Sequence, residues 1–460
     1  MHDLTTGSVS RHLLKTTGYM LVTMVFQTLY FLIDLYWVGR LGTESVAGVG
    51  IAGNLTFVVL ALTQMLGVGT TTLVSHAAGR KEHDTALRVF NQSQVLAMVV
   101  GVLFLIVGMA FRTTYTRAMG ADGMTAQRSG EYLLWYIPAM ALQFAMVAMG
   151  AALRGVGNFK PGMVVSTATI VLNMLLAPVL IFGWGTGRAF GVAGAAMSTF
   201  VAVVVGLVWL TFYFKPRDYL HFVLPDWKPE FAMWKRMLAI GTPAGFEFAL
   251  MAVYMVVVYA VTRPFGAAAQ AGFGIGQRVV QAGMMPVVAL GFSVAPVAGQ
   301  NVGARLPERV RATFRDALWM SSAGMLAFAI ICHIAPAAMI GVFSNDPAAI
   351  QVGIDYLEIV SWNFIAGGIV FVNSSMFQAL GNTIPSLVAS VIRIVLVAVP
   401  AVLLSRLPSF HITWIWYLSV MAVLVQMAVS LLLLRREFGR RLAYPGAALT
   451  SSPGVAEAAV

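Results

Sequence analysis

Apolar runs long enough to cross a lipid bilayer take up most of this chain of 460 residues. The hydrocarbon core of a bilayer is about 30 Å thick, and an α-helix of about 20 apolar residues spans it. Twelve runs meet this criterion, at 17–38, 46–78, 89–111, 132–153, 163–182, 191–214, 237–261, 267–297, 317–343, 357–380, 385–404 and 412–434. The sequence therefore predicts an all-α membrane protein with about twelve transmembrane helices.

The charges support a membrane protein and predict its orientation. Only 10% of the residues are charged, whereas soluble proteins average about 25%. The net charge of +11 does not indicate nucleic-acid binding, because the basic residues are spread along the chain. If the chain alternates sides from a cytoplasmic N-terminus, 20 Lys and Arg residues fall on the inner side and 7 on the outer side. The positive-inside rule then predicts that both termini lie in the cytoplasm, and the expected location is an inner (plasma) membrane.

An internal repeat divides the chain into two halves. At an offset of 224 residues Gly79 falls on Gly303, and the pattern G-N-x-x-P at 157–161 falls on the same pattern at 381–385. Six helices separate the copies, so the two halves have the same orientation in the membrane. We predict an N-terminal six-helix lobe (1–214), a cytoplasmic linker (215–236), a C-terminal six-helix lobe (237–436) and a polar C-terminal tail (437–460). A central cleft between two pseudo-symmetric lobes is typical of transporters.

Ionisable residues inside the apolar runs are the candidate functional groups. Asp34 lies in the first run, where a charged carboxylate costs roughly 2.5–3.5 kcal/mol on insertion scales. Such a residue usually faces a cavity and handles ions or protons, although near a helix end it can also reach water. Glu247 occupies the seventh run. Arg278 and Arg393 lie inside helices, where structural pairing and a transport role are both open.

Catalytic and nucleotide-binding motifs are missing from the sequence. It contains neither H-E-x-x-H nor the phosphate loop G-x-x-x-x-G-K-[ST], and its seven histidines are scattered. The single cysteine, Cys332, can form neither an internal disulfide nor a cysteine metal site. The sequence thus predicts neither an enzyme nor a cofactor, and an ion gradient is the expected energy source.

Six segments in order resemble the multidrug and toxic compound extrusion (MATE) family. They are D-L-Y-W-V-G-R-L-G (34–42), A-L-R-G-V-G-N-F-K-P (152–161), V-L-N-M-L-L-A-P-V-L-I-F-G (171–183), G-V-A-G-A-A-M-S-T (191–199), I-G-T-P-A-G-F-E (240–247) and V-A-G-Q-N-V-G-A (297–304). Each is a weak pattern, but their order and spacing together are specific. The resemblance implies twelve helices in two lobes, and export of organic, often cationic compounds in exchange for H⁺ or Na⁺.

The resemblance also implies roles for particular residues. Asp34 matches the first-helix aspartate that couples transport to the cation, with Asn173 and Thr199 as possible partners. A Thr199 hydroxyl bonded to its own helix backbone is the alternative. This chain has Ala177 where some members carry a second aspartate. Na⁺ needs several oxygens whereas H⁺ needs one titratable carboxylate, so we expect H⁺, with Na⁺ at Asp34 still possible. Glu247 is the acid of the second lobe.

The expected substrates are small-molecule drugs and organic cations, carried by a monomer within the lipid bilayer. Flexible methionines suit a cavity that accepts many shapes. Candidates for its lining, together with Arg278, are Met20, Met24, Met251, Met255, Met284 and Met285, although ordinary core packing is also expected of any methionine. Export of a lipid-linked or polysaccharide precursor is an alternative. A channel or an integral-membrane enzyme is an alternative from a different class.

Overall fold

The computed structural model describes residues 2–120, 122–185, 187–214 and 219–443, and this part of the chain is almost entirely helical. Its α-helices are α1 (Val9–Gly39), α2 (Thr43–Gly53), α3 (Leu55–Gly79), α4 (His83–Met119), α5 (Gly123–Gly155), α6 (Phe159–Phe182), α7 (Val192–Phe214), α8 (Phe231–Thr262), α9 (Ala267–Gly303), α10 (Pro307–Ile334), α11 (Pro336–Gly341), α12 (Pro347–Val360), α13 (Phe364–Leu380), α14 (Ile384–Leu404) and α15 (Thr413–Arg441). Within the described residues, twelve segments are long and apolar enough to cross a membrane. The predicted all-α fold is confirmed.

Some spans are built from two helices, and some predicted bounds shift. The second span, Thr43–Gly79, joins α2 to α3, and the tenth, Pro347–Leu380, joins α12 to α13. The predicted run 317–343 is interrupted at Pro336, where α11 begins, because proline does not continue the preceding helix. Helix α8 begins inside the predicted linker and α15 extends into the predicted tail. Residues 215–218 of that linker and 444–460 of that tail lie outside the described residues.

The repeat is present in the backbone as well as in the sequence. Lys81 and Arg305, which are 224 residues apart, have the positive φ angles 59° and 57°. Gly157 and Gly381, at the same offset, have φ angles of 75° and 73°. Positive φ is uncommon for residues other than glycine, so the matching Lys81 and Arg305 indicate the same turn in both halves. We call α1–α7 the first lobe and α8–α15 the second lobe.

The two lobes are in close backbone contact where α3 and α9 end, and we call this the closed end. A Cβ atom added to Gly79 would overlap the carbonyl group of Gln300, and one added to Gly303 would overlap that of His76. His76 and Gln300 are themselves repeat partners, as are Gly79 and Gly303. The two contacts are therefore symmetric, and the pseudo-twofold axis passes between α3 and α9.

Hydrogen bonds across the lobes also lie at the closed end. The Thr72 hydroxyl donates to the Gln378 carbonyl (3.0 Å). The Ser10 hydroxyl donates to Oδ2 of Asp316 (2.6 Å). Towards the opposite end, α2 packs on α1, α3 and α5, whereas α12 packs on α9, α11 and α15. The main contacts of α2 and α12 therefore lie within their own lobes, and we take this end as the open end of the central cleft.

Residues 2–7, which precede α1, form a strap over the closed end. The His2 backbone amide donates to the Val156 carbonyl in the first lobe (3.1 Å). Leu4 is buried, and its amide donates to Oε1 of Gln300 in the second lobe (3.0 Å). The Arg309 guanidinium donates to three carbonyls of the strap. The strap therefore joins the two lobes.

Candidate transport site

Three helices of the first lobe bring a cluster of polar side chains together. Nδ2 of Asn173 in α6 donates to the Thr199 hydroxyl of α7 (3.1 Å). The Ser198 hydroxyl donates to Oδ1 of Asn173 (3.1 Å). The Tyr30 phenol of α1 lies 3.3 Å from the Thr199 hydroxyl. Thr199 also donates to the Ala195 carbonyl (3.3 Å), which is the bond to its own helix backbone that the sequence offered as the alternative.

Asp34 adjoins this cluster but forms no hydrogen bond with it. It lies four residues after Tyr30, on the same face of α1, and its carboxylate is close to the phenols of Tyr30 and Tyr132. Its Oδ1 atom is buried and has no hydrogen-bond partner among the described residues. An ionised carboxylate in such a place is costly unless it is paired. The arrangement therefore suits a side chain that binds and releases a cation or a proton.

The first lobe supplies no second carboxylate to Asp34 from α6. The residue one turn after Asn173 is Ala177, and it is buried. Over the residues that the structure describes, no group of three or more His, Cys, Asp or Glu side chains could hold a metal ion. Any ion at Asp34 would have to take its further ligands from neutral oxygens, and those of Asn173 and Thr199 already take part in hydrogen bonds.

In the second lobe, Glu247 of α8 receives three hydroxyl hydrogen bonds from α13 and α14. Ser374 and Ser386 donate to Oε2 at 3.1 and 2.9 Å, and Ser390 donates to Oε1 at 3.1 Å. Gln426 of α15 in turn donates to the Ser390 hydroxyl (3.1 Å). The carboxylate of Glu247 is thus held by neutral donors, in contrast to that of Asp34. The three serines were missed in the sequence, where serines in apolar helices carry no distinct signal.

Arg393 lies near Glu247 without an ion pair. The charges of the two residues interact, but no Arg393–Glu247 contact within 4.0 Å occurs among the ion pairs of the described residues. The guanidinium carbon lies 5.4 Å from the centre of the Tyr254 ring. The Nε atom is buried with no hydrogen-bond partner in the described part of the chain. Arg393 therefore contributes positive charge beside the second-lobe acid.

The predicted cavity residues fall into two groups. Met285 of α9 faces the first lobe, since its sulfur lies 3.7 Å from the Thr28 hydroxyl of α1. Arg278 is exposed two turns along the same face of α9. Met20 and Met24 on α1 are partly buried and Met251 is exposed. Met255 and Met284 instead pack against a buried cluster of the second lobe that includes Tyr356 and Trp416.

Fold and site together define a duplicated twelve-span membrane protein with one partly buried acid in each half, which is a transporter architecture. The comparison with known families agrees. The family model MatE matches residues 20–179 and 243–403. The chain therefore belongs to the MatE family of membrane transporters.

Relatives and solved structures match over nearly the whole chain. A probable multidrug resistance protein of Bacillus subtilis, YoeA, is 26% identical over 421 residues, which cover 90% of each chain. An FAD transporter of Shewanella oneidensis is 25% identical over 87% of this chain and 88% of its own. A Pyrococcus furiosus transporter of the MOP superfamily has a TM-score of 0.87 at 25% identity, over 95% of this chain and 98% of its own. Its structure is described as having a binding pocket of reversed polarity that suggests a different function.

Proposed function

We propose that this protein is an efflux antiporter that exchanges H⁺ or Na⁺ for organic, often cationic compounds, with Asp34 as the coupling residue. One observation carries the proposal. The Oδ1 atom of Asp34 is buried and has no hydrogen-bond partner among the described residues. A single unpaired carboxylate can bind either a coupling ion or a cationic cargo, but not both at once. Antiport requires this competition between ion and cargo for one site. The multidrug resistance relative supports the direction of transport.

The hydrogen bonds around Asp34 favour H⁺ over Na⁺. A sodium ion needs several oxygen ligands in addition to the carboxylate. Oδ1 of Asn173 accepts from Ser198, and the Thr199 hydroxyl accepts from Asn173. Na⁺ binding would have to rearrange this network, whereas protonation changes only Asp34. Asn173 and Thr199 then act by fixing the polar wall beside the carboxylate.

The proposed cycle follows from the orientation that the loop charges predict. Both termini and the closed end face the cytoplasm of an inner (plasma) membrane, so the cleft opens outward. Protonation of Asp34 from outside releases the cargo, and the lobes, 1–214 and 237–436, then rock against each other. Release of the proton inside restores the charge for the next cargo molecule. A monomer is sufficient, because both lobes belong to one chain.

Exchange measurements in proteoliposomes test the coupling residue. Asp34→Asn removes the charge at nearly constant size, and ethidium efflux driven by a pH gradient should fall to the rate of protein-free liposomes. Asp355→Asn is the matched control, because Asp355 lies in α12 and contacts Gln351 at the exposed surface. Full gradient-driven efflux by Asp34→Asn would refute the proposal. Separate Na⁺ and H⁺ gradients identify the ion, and single-channel currents would instead indicate a channel.

Export of a larger anionic precursor is the second candidate. The Shewanella oneidensis relative is named for FAD, a phosphate-bearing compound. Arg278 and Arg393 are the basic residues that the sequence places inside helices, and in this second candidate they would face the headgroup of a lipid-linked or polysaccharide precursor. Uptake of such a precursor, with no efflux of ethidium, would favour that function over drug export.

A further inference from the structure

A third basic residue, which the sequence presents as a loop charge, lies between the lobes. Arg154 is in the last turn of α5, and its guanidinium carbon lies 5.9 Å from the centre of the Phe292 ring in α9 of the other lobe. A Cβ atom on Gly67 of α3 would lie 3.8 Å from its Nη2 atom. Helical side chains tilt towards the N-terminus of their helix, which for α5 is the end away from the closed end. Arg154 therefore points from the closed end into the bottom of the cleft.

Arg154 has no counter-ion in the described part of the chain. None of the ion pairs there includes it, and neither Asp34 nor Glu247 interacts with its charge. None of the hydrogen bonds among the described residues involves its guanidinium, and its nitrogen atoms are not among the buried polar atoms that lack a partner, so they keep some accessible surface. A partly enclosed guanidinium without a carboxylate is unfavourable unless water or a ligand supplies acceptors.

Arg278 extends this positive charge along one face of α9. Arg278, Met285 and Phe292 are seven residues apart, which is about two helical turns and about 10.5 Å for each step. Met285 contacts Thr28 of the first lobe, and Phe292 contacts Arg154. The same face of α9 therefore runs along the cleft, with exposed Arg278 near its mouth and Arg154 at its bottom.

Resting on the transport function proposed above, we propose that the cargo carries a carboxylate or phosphate group that Arg154 binds at the bottom of the cleft. The planar guanidinium presents two parallel N–H groups to such an anion. Arg278 attracts the anion at the mouth through longer-range electrostatics. A cationic or polar part of the same molecule lies towards Asp34, so the preferred cargo is amphoteric rather than a simple organic cation.

Flavin binding to the purified full-length protein in lipid nanodiscs tests this inference without an ion gradient. Riboflavin and FMN share one fluorophore and differ by one phosphate group. The wild type should bind FMN about tenfold or more tightly than riboflavin, as expected for a charge-assisted hydrogen-bond pair. Arg154→Gln should remove that preference and leave riboflavin affinity unchanged, whereas Arg154→Lys should retain part of it. Arg112→Gln is the matched control, because Arg112 of α4 donates to the Gly130 carbonyl within the first lobe.

The inference is overturned if the wild type binds FMN no more tightly than riboflavin, including the case in which neither binds. An unchanged preference in Arg154→Gln also overturns it. Riboflavin affinity reports whether each variant is folded. If Arg154→Gln does not fold, the ratio of FMN affinity to riboflavin affinity in Arg154→Lys and in the wild type decides. Equal flavin affinities together with proton-driven ethidium efflux would refute the anionic cargo alone. The antiport function would still stand.

Discussion

The symmetric contact between α3 and α9 predicts that one added methyl group will open the closed end. A Cβ atom on Gly79 would lie much nearer the Gln300 carbonyl group than the 3.0 Å below which real Cβ atoms essentially never approach. The obstructing atoms belong to backbone, which cannot turn aside as a side chain can. Gly79→Ala must therefore separate α3 from α9 at the closed end.

The cost of this separation can be bounded. Forcing an extra methyl group into a well-packed contact costs about 1–3 kcal/mol. The clash exists only while α3 and α9 touch, so the same free energy favours the state that is open at this end. A difference of that size multiplies the ratio of open to closed molecules by about 5–150. Adding Gly303→Ala should give less than twice the effect, because both clashes push apart the same pair of helices.

Electron-spin distance measurements report this ratio directly. Nitroxide labels at Lys160 of the first lobe and Arg311 of the second both lie near the closed end, on a background in which buried Cys332 is replaced by serine. Gly79→Ala should increase the long-distance population. Gly324→Ala is the matched control, because a Cβ atom there meets nothing within 4 Å. The reasoning is refuted if Gly79→Ala leaves the distances unchanged, or if Gly324→Ala changes them equally.

Two further predictions concern Glu247 and the strap. Glu247→Gln exchanges a carboxylate held by three hydroxyls for a weaker acceptor, so the protein should lose about 1–3 kcal/mol of stability in thermal denaturation. Ser374→Ala removes a single donor and should cost less. Equal stability of the wild type, Glu247→Gln and Ser374→Ala would contradict a stabilising role for these hydrogen bonds. Leu4→Asp should release the strap, because burying an apolar side chain stabilises it by about 1.5–3 kcal/mol and a buried charge is unfavourable. Hydrogen exchange of residues 2–7 should then rise, with exposed Thr6→Asp as the control and unchanged protection as the contrary result.

The twelve spans and the two lobes were predictable because they are encoded in features that do not depend on three-dimensional contacts. Apolar run length predicts the helices, and the glycines that need positive φ or close helix contact recur at one offset in both halves. Asn173 and Thr199 were predicted from resemblance, and the structure places them in direct contact. Asp34 stood out because a carboxylate is rare in an apolar run.

The remaining features depend on packing that the sequence does not reveal. Three serines from two helices converge on Glu247, but each alone resembles an ordinary helical hydroxyl. Arg154 looks like a positive-inside loop charge because it ends an apolar helix, and only its contact with Phe292 shows that it points into the bundle. The strap is held mainly through its backbone amides and carbonyls, which are the same in every sequence. Its one sequence signal is a single apolar residue, Leu4, in a polar segment.

The unequal environments of the two acids explain why the repeat does not make them equivalent. At the offset of 224, Asp34 corresponds to Val258 and Glu247 corresponds to Thr23. Val258 is buried and Thr23 bonds to its own helix, so neither position needs an acid for the fold. Glu247 is held by three donors, and binding a proton or cation there would have to compete with them. Asp34 has no such competitor on Oδ1. If both acids take part in transport, Asp34 should exchange its ion more readily, and Glu247 should act mainly through its charge and its hold on α13 and α14.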